Sequence, residues 1–250
     1  MCTGEEKNTL VKRPGKLIYR DGDLVYKTFD ASYSKSAVLN EGINQARIEE
    51  TGLPIPRIKE VSVVEGECAI VMEYIEGKTL ESLMEENPDK TDEYLELFVA
   101  LQRQIHAKRS PLLTKFKDKM TDKIFKSDLD ASTRYDLAIR WREMPDHNSV
   151  LHCDFNPSNV VVTPRGQSYI LDWSHASQGH ALADVAKSYL LFELDGKPEL
   201  AERYLRLFCK KTSTYTETAR AWIPLVAAAQ LVKGNAKNRE ILMNHVNSVE

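Results

Sequence analysis

The stretch "LHCDFNPSNVVV", residues 151–162, constrains this chain more than any other. It sets His152 two residues before Asp154, and Asn159 five residues after that aspartate. A valine run then reads as a buried strand. Asn156-Pro157 marks a turn. Chance gives the pattern H-x-D-x-x-x-x-N in roughly one chain of this length in a hundred, so a purely structural turn is the lesser reading.

A carboxylate and an amide on one turn can do two jobs. The aspartate can accept a proton from a hydroxyl, and the amide oxygen can bind a hard cation. A second carboxylate, Asp172, ends the run "YILD" thirteen residues beyond Asn159. Between them "NVVVT" and "SYILD" flank Pro164-Arg165-Gly166, so a hairpin should return Asp172 to the neighbourhood of Asn159. Mg²⁺ takes few oxygen ligands from protein and completes its shell with phosphates and water. The spacing therefore implies a base beside a magnesium site.

The first third reads as strands. "KLIYR" and "DLVYKTF" flank Asp21-Gly22, a hairpin signal, and "RIKEVSVVEGECAIVMEY" reads as a second hairpin around Glu65-Gly66. Between them residues 34–52 carry a helical pattern, with Val38, Leu39, Ile43, Ala46 and Ile48 as its apolar positions, and Gly52 and Pro54 end it. After Gly77 the chain turns helical, apart from the hairpin that follows Asn159. This predicts an α+β fold of two lobes: residues 1–75, a small sheet with one helix, and residues 76–250, mostly helical. Such a division implies a cleft between them, a usual ligand site.

Composition excludes several classes. The net charge is −3, so no basic field favours nucleic acid. The N-terminal residues carry no apolar core of a secretory signal. The longest apolar run near the C-terminus, "WIPLVAAAQLV", is too short to span a bilayer. Cys2, Cys68, Cys153 and Cys209 are scattered, without C-x-x-C pairs, which argues against a zinc ribbon or disulfide framework and for a reducing cytoplasm.

Lys27 ends the alternating run "LVYK", where a lysine usually reaches to solvent. Glu41 lies fourteen residues on, in the expected helix. A Lys–Glu pair across a strand and a helix positions nucleotide phosphates in kinases.

The kinase catalytic loop reads H-R-D-x-x-x-x-N and is followed by D-F-G. His152, Asp154 and Asn159 match it, and "DWS" stands where D-F-G would be. Phe155, Pro157 and the tryptophan after Asp172 resemble the aminoglycoside phosphotransferase and choline kinase type, whose members often read HGDFHPGN and IDW there. "VLNEGINQARIEETGLPIPRI", "AIVMEYIEG" and "ALADVAKSYLL" resemble that family too, so the likeness covers nearly the whole chain.

The resemblance implies a protein-kinase-like fold and transfer of the ATP γ-phosphoryl group to a hydroxyl of an aminoglycoside-, choline- or sugar-like small molecule. It implies Asp154 as catalytic base, Asn159 and Asp172 as Mg²⁺ ligands, Lys27 on the phosphates and Glu41 as its helix partner. Residues 73–75, with Glu73 and Ile75 at their ends, resemble the hinge that receives adenine. Val25, Val161 and Leu171 would sandwich the base. His152 and Asp184 resemble supports of the catalytic loop. Carboxylates near Trp173, Tyr189, Glu193 and Trp222 would suit a cationic acceptor.

The chain also departs from the pattern. No glycine-rich loop precedes Lys27, and Cys153 and Ser158 stand where glycines are common. Two other readings stay open: an ATP-binding module without catalysis, argued from the missing glycine loop, and a metal-dependent hydrolase built on His152, Asp154 and Asp172, which leaves Lys27 and Glu41 unexplained.

Overall fold

The computed structural model describes residues 8–231 and 236–247; Cys2 lies outside them. In chain order the first elements are β1 (Asn8–Arg13), β2 (Lys16–Asp21), β3 (Leu24–Phe29), α1 (Lys35–Glu49), β4 (Ile58–Val64), β5 (Glu67–Glu73) and β6 (Lys78–Thr79). Helices α2 (Leu80–Glu86), α3 (Thr91–His106), α4 (Phe116–Lys126) and α5 (Ala131–Glu143) follow. Then come the short strands β7 (Ser149–Leu151), β8 (Val160–Val162), β9 (Ser168–Ile170) and β10 (Ser177–Gly179). The chain continues through α6 (Ala181–Leu194), α7 (Pro198–Thr212), α8 (Thr216–Arg220), α9 (Ile223–Gln230) and α10 (Ala236–Asn247). The fold is mixed α+β, sheet-rich in its N-terminal part and helical in its C-terminal part. Among the described residues no helix is long and apolar enough to cross a membrane.

Two compact units form: Met1–Leu80 with Asn159–His175, and Glu81–Ser158 with Ala176–Glu250. The sequence division at residues 75 and 76 assigned residues 159–175 to the helical part. Hydrogen bonds tie them to the first unit instead, where β8 and β9 form a separate three-stranded sheet with β6. Lys78 and Thr79 of β6 pair with Val162 and Val161 of β8, the Ile170 N–H donates to the Pro54 carbonyl at 2.9 Å, and Asn44 Nδ2 donates to the Ser174 carbonyl at 3.3 Å.

In the first unit the five-stranded sheet runs β1-β2-β3-β5-β4, each pair antiparallel. Glu65 and Gly66 both hold positive φ, 52° and 87°, the signature of the two-residue turn that matches strand twist. Asp21 pairs with Leu24, so the first hairpin turns on Gly22 and Asp23, one residue beyond the expected dipeptide. Phe29, Val38 and Ile70 form the unit's core against α1, with Ile58, Cys68 and Met72 packed on it. Fully burying a Phe, Val or Ile side chain, as in the first three, is worth about 1.5–3 kcal/mol.

Helix α1 is capped by Ser34, whose side chain accepts the Ala37 N–H at 3.2 Å. Its buried face is not the expected one. Leu39 and Ile43 are exposed, while Glu41, Asn44 and Gln45 are buried beside Val38 and Ile48. Buried polar groups must be hydrogen-bonded, and these are: Gln45 Nε2 donates to the Pro56 carbonyl at 2.7 Å, Asn44 to Ser174, and Glu41 is ion-paired to Lys27.

The second unit is built around α6, which buries Leu182, Val185, Leu190 and Phe192. Phe98 of α3 stacks on Phe155 with ring centroids 4.3 Å apart, and meets Phe192 and Tyr204 edge-on. Phe155 directly follows Asp154, so this aromatic core anchors the loop that carries that aspartate.

Candidate active site

In the first unit Lys27 is the centre. It lies on β3 opposite Ile18 of β2 and Ile70 of β5 and is only 4% exposed. Its Nζ pairs with Glu41 Oε1 of α1 and stands 3.0 Å from Asp172 Oδ1. Burial pulls the Lys27 pKa down, but Asp172 and then Glu41 outweigh it and hold the ammonium above its ordinary value. The converse acts on Asp172: burial would raise its pKa, yet Lys27 beside it drives the carboxyl well below the usual carboxylate range. Both groups are charged at neutral pH.

Sequence reasoning missed a third member of this cluster. Lys16 stands two residues before Ile18 on β2, so it shares the face that carries Lys27 and is its diagonal neighbour. Lys16 Nζ is 3.6 Å from Glu41 Oε2 and sits over the Phe29 and Tyr33 rings at 4.8 and 5.5 Å. Burial and then Lys27 lower its pKa. The alternation of "KLIY" against "LVYK" was the signal that could have found it.

The β8–β9 hairpin brings Asp172 back toward Asn159. The Leu171 N–H donates to the Asn159 carbonyl at 2.8 Å, one residue before Asp172. Asp172 then takes a positive φ of 57°, where an aspartate is tolerated better than bulkier residues. Together the two side chains offer hard oxygen donors, one of them held as a carboxylate. This donor set fits Mg²⁺.

Val25 lies two residues before Lys27 on the same face of β3 and opposite Met72. Val161, on β8 between Thr79 and Tyr169, is buried. Gly77 packs so closely on β8 that a Cβ there would overlap the Val162 carbonyl and crowd Val161. In residues 73–75 the Glu73 N–H donates to the Arg57 carbonyl at 3.0 Å and the Tyr74 N–H to the Asp23 carbonyl at 2.9 Å. Among the described residues Ile75 N–H donates to no backbone carbonyl. The Glu73 side chain turns to Lys59, 2.7 Å away.

The second unit holds Asp154 on the loop after β7. His152 is fully buried, and its Nδ1 accepts the Asp154 N–H at 3.2 Å. Asp184 of α6, also fully buried, accepts the Cys153 N–H at 2.7 Å, the His152 N–H at 3.4 Å and a hydrogen bond from His106 Nε2 at 2.9 Å. Burial would raise its carboxyl pKa, but these donors, with His106 foremost, hold it below its ordinary value. Asn156 closes the turn: its Nδ2 donates to the Asp154 carbonyl at 2.9 Å, and its Oδ1 accepts Ser158 N–H at 3.0 Å.

Cys153 takes φ 65°, a left-handed conformation that glycine adopts freely. That explains why this loop position suits glycine. Cys153 is buried, and burial pushes its thiol up to about 12, so it packs rather than reacts. Among the described residues no three His, Cys, Asp or Glu side chains gather as a metal set. His180 instead stacks on Trp222, with centroids 4.8 Å apart.

The profile of the phosphotransferase enzyme family (APH) matches residues 16–222. No curated protein matches the chain. Among solved structures, a thermostable mutant of the aminoglycoside phosphotransferase APH(4)-Ia in ternary complex with AMP-PNP and hygromycin B superposes with a TM-score of 0.71 at 17% identity, over 97% of this chain and 92% of that one. A choline/ethanolamine kinase family protein from Mesorhizobium loti gives a TM-score of 0.61 at 17% identity, over 99% and 83%. A mutant of aminoglycoside 2'-phosphotransferase-IIIa in complex with GDP gives 0.65 at 15%, over 98% and 92%. The fold is the protein-kinase-like one these structures share.

Proposed function

Because the chain belongs to the phosphotransferase enzyme family, its chemistry is that of a small-molecule kinase, and we propose that it transfers the γ-phosphoryl group of ATP to a hydroxyl of an aminoglycoside-, choline- or sugar-like acceptor. The observation that carries the ATP reading is Lys27, buried and held between Glu41 and Asp172. A lysine so fixed has its charge aimed and its rotamers limited before any ligand arrives. The complex of an APH(4)-Ia mutant with AMP-PNP and hygromycin B supports an adenine nucleotide and a small-molecule acceptor.

In this reading Lys27 contacts the phosphates and Glu41 keeps it there. Ile75 N–H meets the adenine edge from the hinge that begins at Glu73, and Val25, Val161 and Leu171 hold its faces. Asn159 and Asp172 would hold Mg²⁺, which when bound supplies charge neutralisation at the phosphates. Asp154 orients the acceptor hydroxyl and takes its proton. His152 and Asp184 fix the loop so that the Asp154 carboxylate needs little reorganisation, and catalysis is mainly positioning and electrostatics. We place the enzyme in the cytoplasm, with no nucleic-acid partner.

The test is an acceptor screen with purified protein and ATP–Mg²⁺, read as ADP release and phosphorylated product, with Asp154→Asn as control. General-base loss should lower kcat by ~10²-fold or more while the nucleotide still raises the melting temperature. Wild-type turnover in Asp154→Asn would overturn the assignment. The two-residue turn Pro14-Gly15 between β1 and β2 favours one other reading, a nucleotide-binding module without catalysis. That reading predicts stabilisation by ATP–Mg²⁺ and no product with any acceptor.

A further inference from the structure

Three lysines surround the loop that carries Asp154, and nothing assigned so far uses them. Asp184, Lys187 and Ser188 lie at i, i+3 and i+4 on α6 and share one face. Asp184 takes the Cys153 N–H, and Ser188 Oγ donates to the Phe155 carbonyl at 2.7 Å. The loop is thus pinned on both sides of Asp154 to the face from which Lys187 projects. Lys187 Nζ donates to Gln230 Oε1 of α9, and the buried Gln230 Nε2 group has no hydrogen-bond partner among the described residues.

Helix α4 supplies the other two. Lys119 Nζ donates to the Ala176 carbonyl at 3.1 Å and to Ser177 Oγ at 2.8 Å, on the strand that pairs with β7 through Leu151. One turn on, Lys123 lies within electrostatic reach of both Lys187 and Cys153. Burial lowers the Lys119 pKa. Burial first, and Lys123 against the opposing pull of Asp154, brings Lys187 down to about 8. The carboxylates in electrostatic reach of Lys187 are Asp154 and the fully buried Asp184. An anion entering this half-buried place would be attracted by the lysines.

The carboxylates expected to receive a cation are already engaged. Glu193 pairs with His245, and Tyr189 donates to Glu202 at 2.8 Å, which Arg220 also holds.

We propose that the acceptor is an anionic hydroxyl compound, a sugar- or polyol-like molecule bearing a carboxylate or phosphate. Lys187 grips the anionic group beside the hydroxyl presented to Asp154, with Lys123 and the Gln230 amide N–H as further donors. The inference rests on the phosphotransferase reading. The transfer step keeps its balance: the acceptor oxygen bonds the γ-phosphorus, the bridging P–O bond breaks with its electron pair leaving on ADP, and the hydroxyl proton passes to Asp154.

The experiment compares matched acceptors with ATP–Mg²⁺: gluconate and sorbitol 6-phosphate against glucose and sorbitol, and both sets against glucosamine and choline. The acidic members should have kcat/KM at least ~10-fold above their neutral partners, and the two acids separate carboxylate from phosphate. Lys187→Gln should raise KM for the acid ~10-fold or more, leave KM for ATP nearly unchanged, and erase the preference for the acid. Lys187→Arg should keep the preference. Lys123→Gln, a milder change on α4, should raise the same KM by a smaller factor and covers the case in which the Lys187 variants fail to fold.

A preference for the neutral or amine members overturns this inference and leaves the phosphotransferase reading intact. So does a Lys187→Gln enzyme whose kcat falls equally for all acceptors while the preference for the acid is kept, since Lys187 would then act only through Asp154. Absence of phosphoryl transfer to every acceptor overturns both.

Discussion

Lys27 Nζ lies 3.0 Å from Asp172 Oδ1, although 145 residues separate them along the chain, and the same ammonium is paired to Glu41 of α1. One buried cation thus joins a sheet strand, the helix packed on it and the hairpin that follows Asn159, all within one compact unit. An exposed ion pair contributes at most ~1 kcal/mol and has little bearing on activity. A buried cation with two carboxylates is different, because removing one partner leaves an uncompensated charge in a low-dielectric site.

Glu41 should therefore matter to activity without touching substrate. Without it, Lys27 is drawn toward Asp172 and away from the phosphates. Lys27→Ala, Glu41→Ala and the double variant should lose kcat/KM for ATP by similar factors, far from multiplicatively. A double-mutant cycle measures this. Independent, multiplicative losses would mean that the pair has no functional coupling.

Asp172→Asn keeps a residue that tolerates positive φ but removes the charge. The variant should lose the Mg²⁺-dependent part of the stabilisation by ATP, because the ion loses its charged ligand. Thermal unfolding with ATP, with and without Mg²⁺, reads it directly. An increase in Tm equal to that of the parent would take Asp172 out of the ligand set.

His180 predicts an acid-side loss of stability. Its Nδ1 caps α6 by accepting the Leu182 N–H at 3.2 Å, its ring stacks on Trp222, and burial, then His147 and His106 against Asp146, lower its pKa to about 4. A folded pKa below the unfolded one means stability that is complete above about 6.5 and is lost as pH falls toward 4. Protonation would also end the cap and set a cation at a helix N-terminus. With solvent screening the loss should be about 1–2 kcal/mol. Urea unfolding between pH 7 and pH 4 should be less pH-dependent in His180→Asn, which keeps a capping acceptor. An equal pH dependence in both proteins would remove His180 from the account.

Cys153 holds a left-handed backbone worth about 1–2 kcal/mol of strain for a residue with a Cβ. Cys153→Gly relieves that strain but gives up burial and chain stiffness, so its stability should stay within ~1 kcal/mol of the parent. Cys153→Val adds a β-branched side chain at positive φ and should cost ~2 kcal/mol or more. Chemical denaturation of the two variants tests this, and equal stabilities would contradict the conformational argument. The parent thiol at this position should not react with thiol reagents at pH 8 while the protein is folded.

The turn after Asp154 and the hairpin after Asn159 were legible in the sequence because they are local. Two strands joined by Pro164-Arg165-Gly166 must return Leu171 to Asn159, and glycine at positive φ marks the reversals at Gly66 and Gly166. The spacing of His152, Asp154 and Asn159 marks the loop itself, in which the Asp154 N–H turns back to His152 Nδ1, while its anchors on α6 come from elsewhere in the chain. Family membership was legible for the same reason.

The face of α1 was not legible. Periodicity assigned Leu39 and Ile43 to the core, yet Glu41, Asn44 and Gln45 are buried there because the sheet, the 54–56 segment and Ser174 supply their partners. A hydropathy pattern scores a buried carboxylate as solvent-facing, since it does not contain the partner that neutralises it. The same holds for Lys16 beside Glu41, for the attachment of Asn159–His175 to the sheet unit, and for the gathering of Lys119, Lys123 and Lys187 about the loop of Cys153 and Asp154. The sequence determined which charged groups this protein owns and which local turns carry them. Which of those charges face one another was decided only by tertiary packing, because burial and pairing of charge depend on neighbours that arrive from distant parts of the chain.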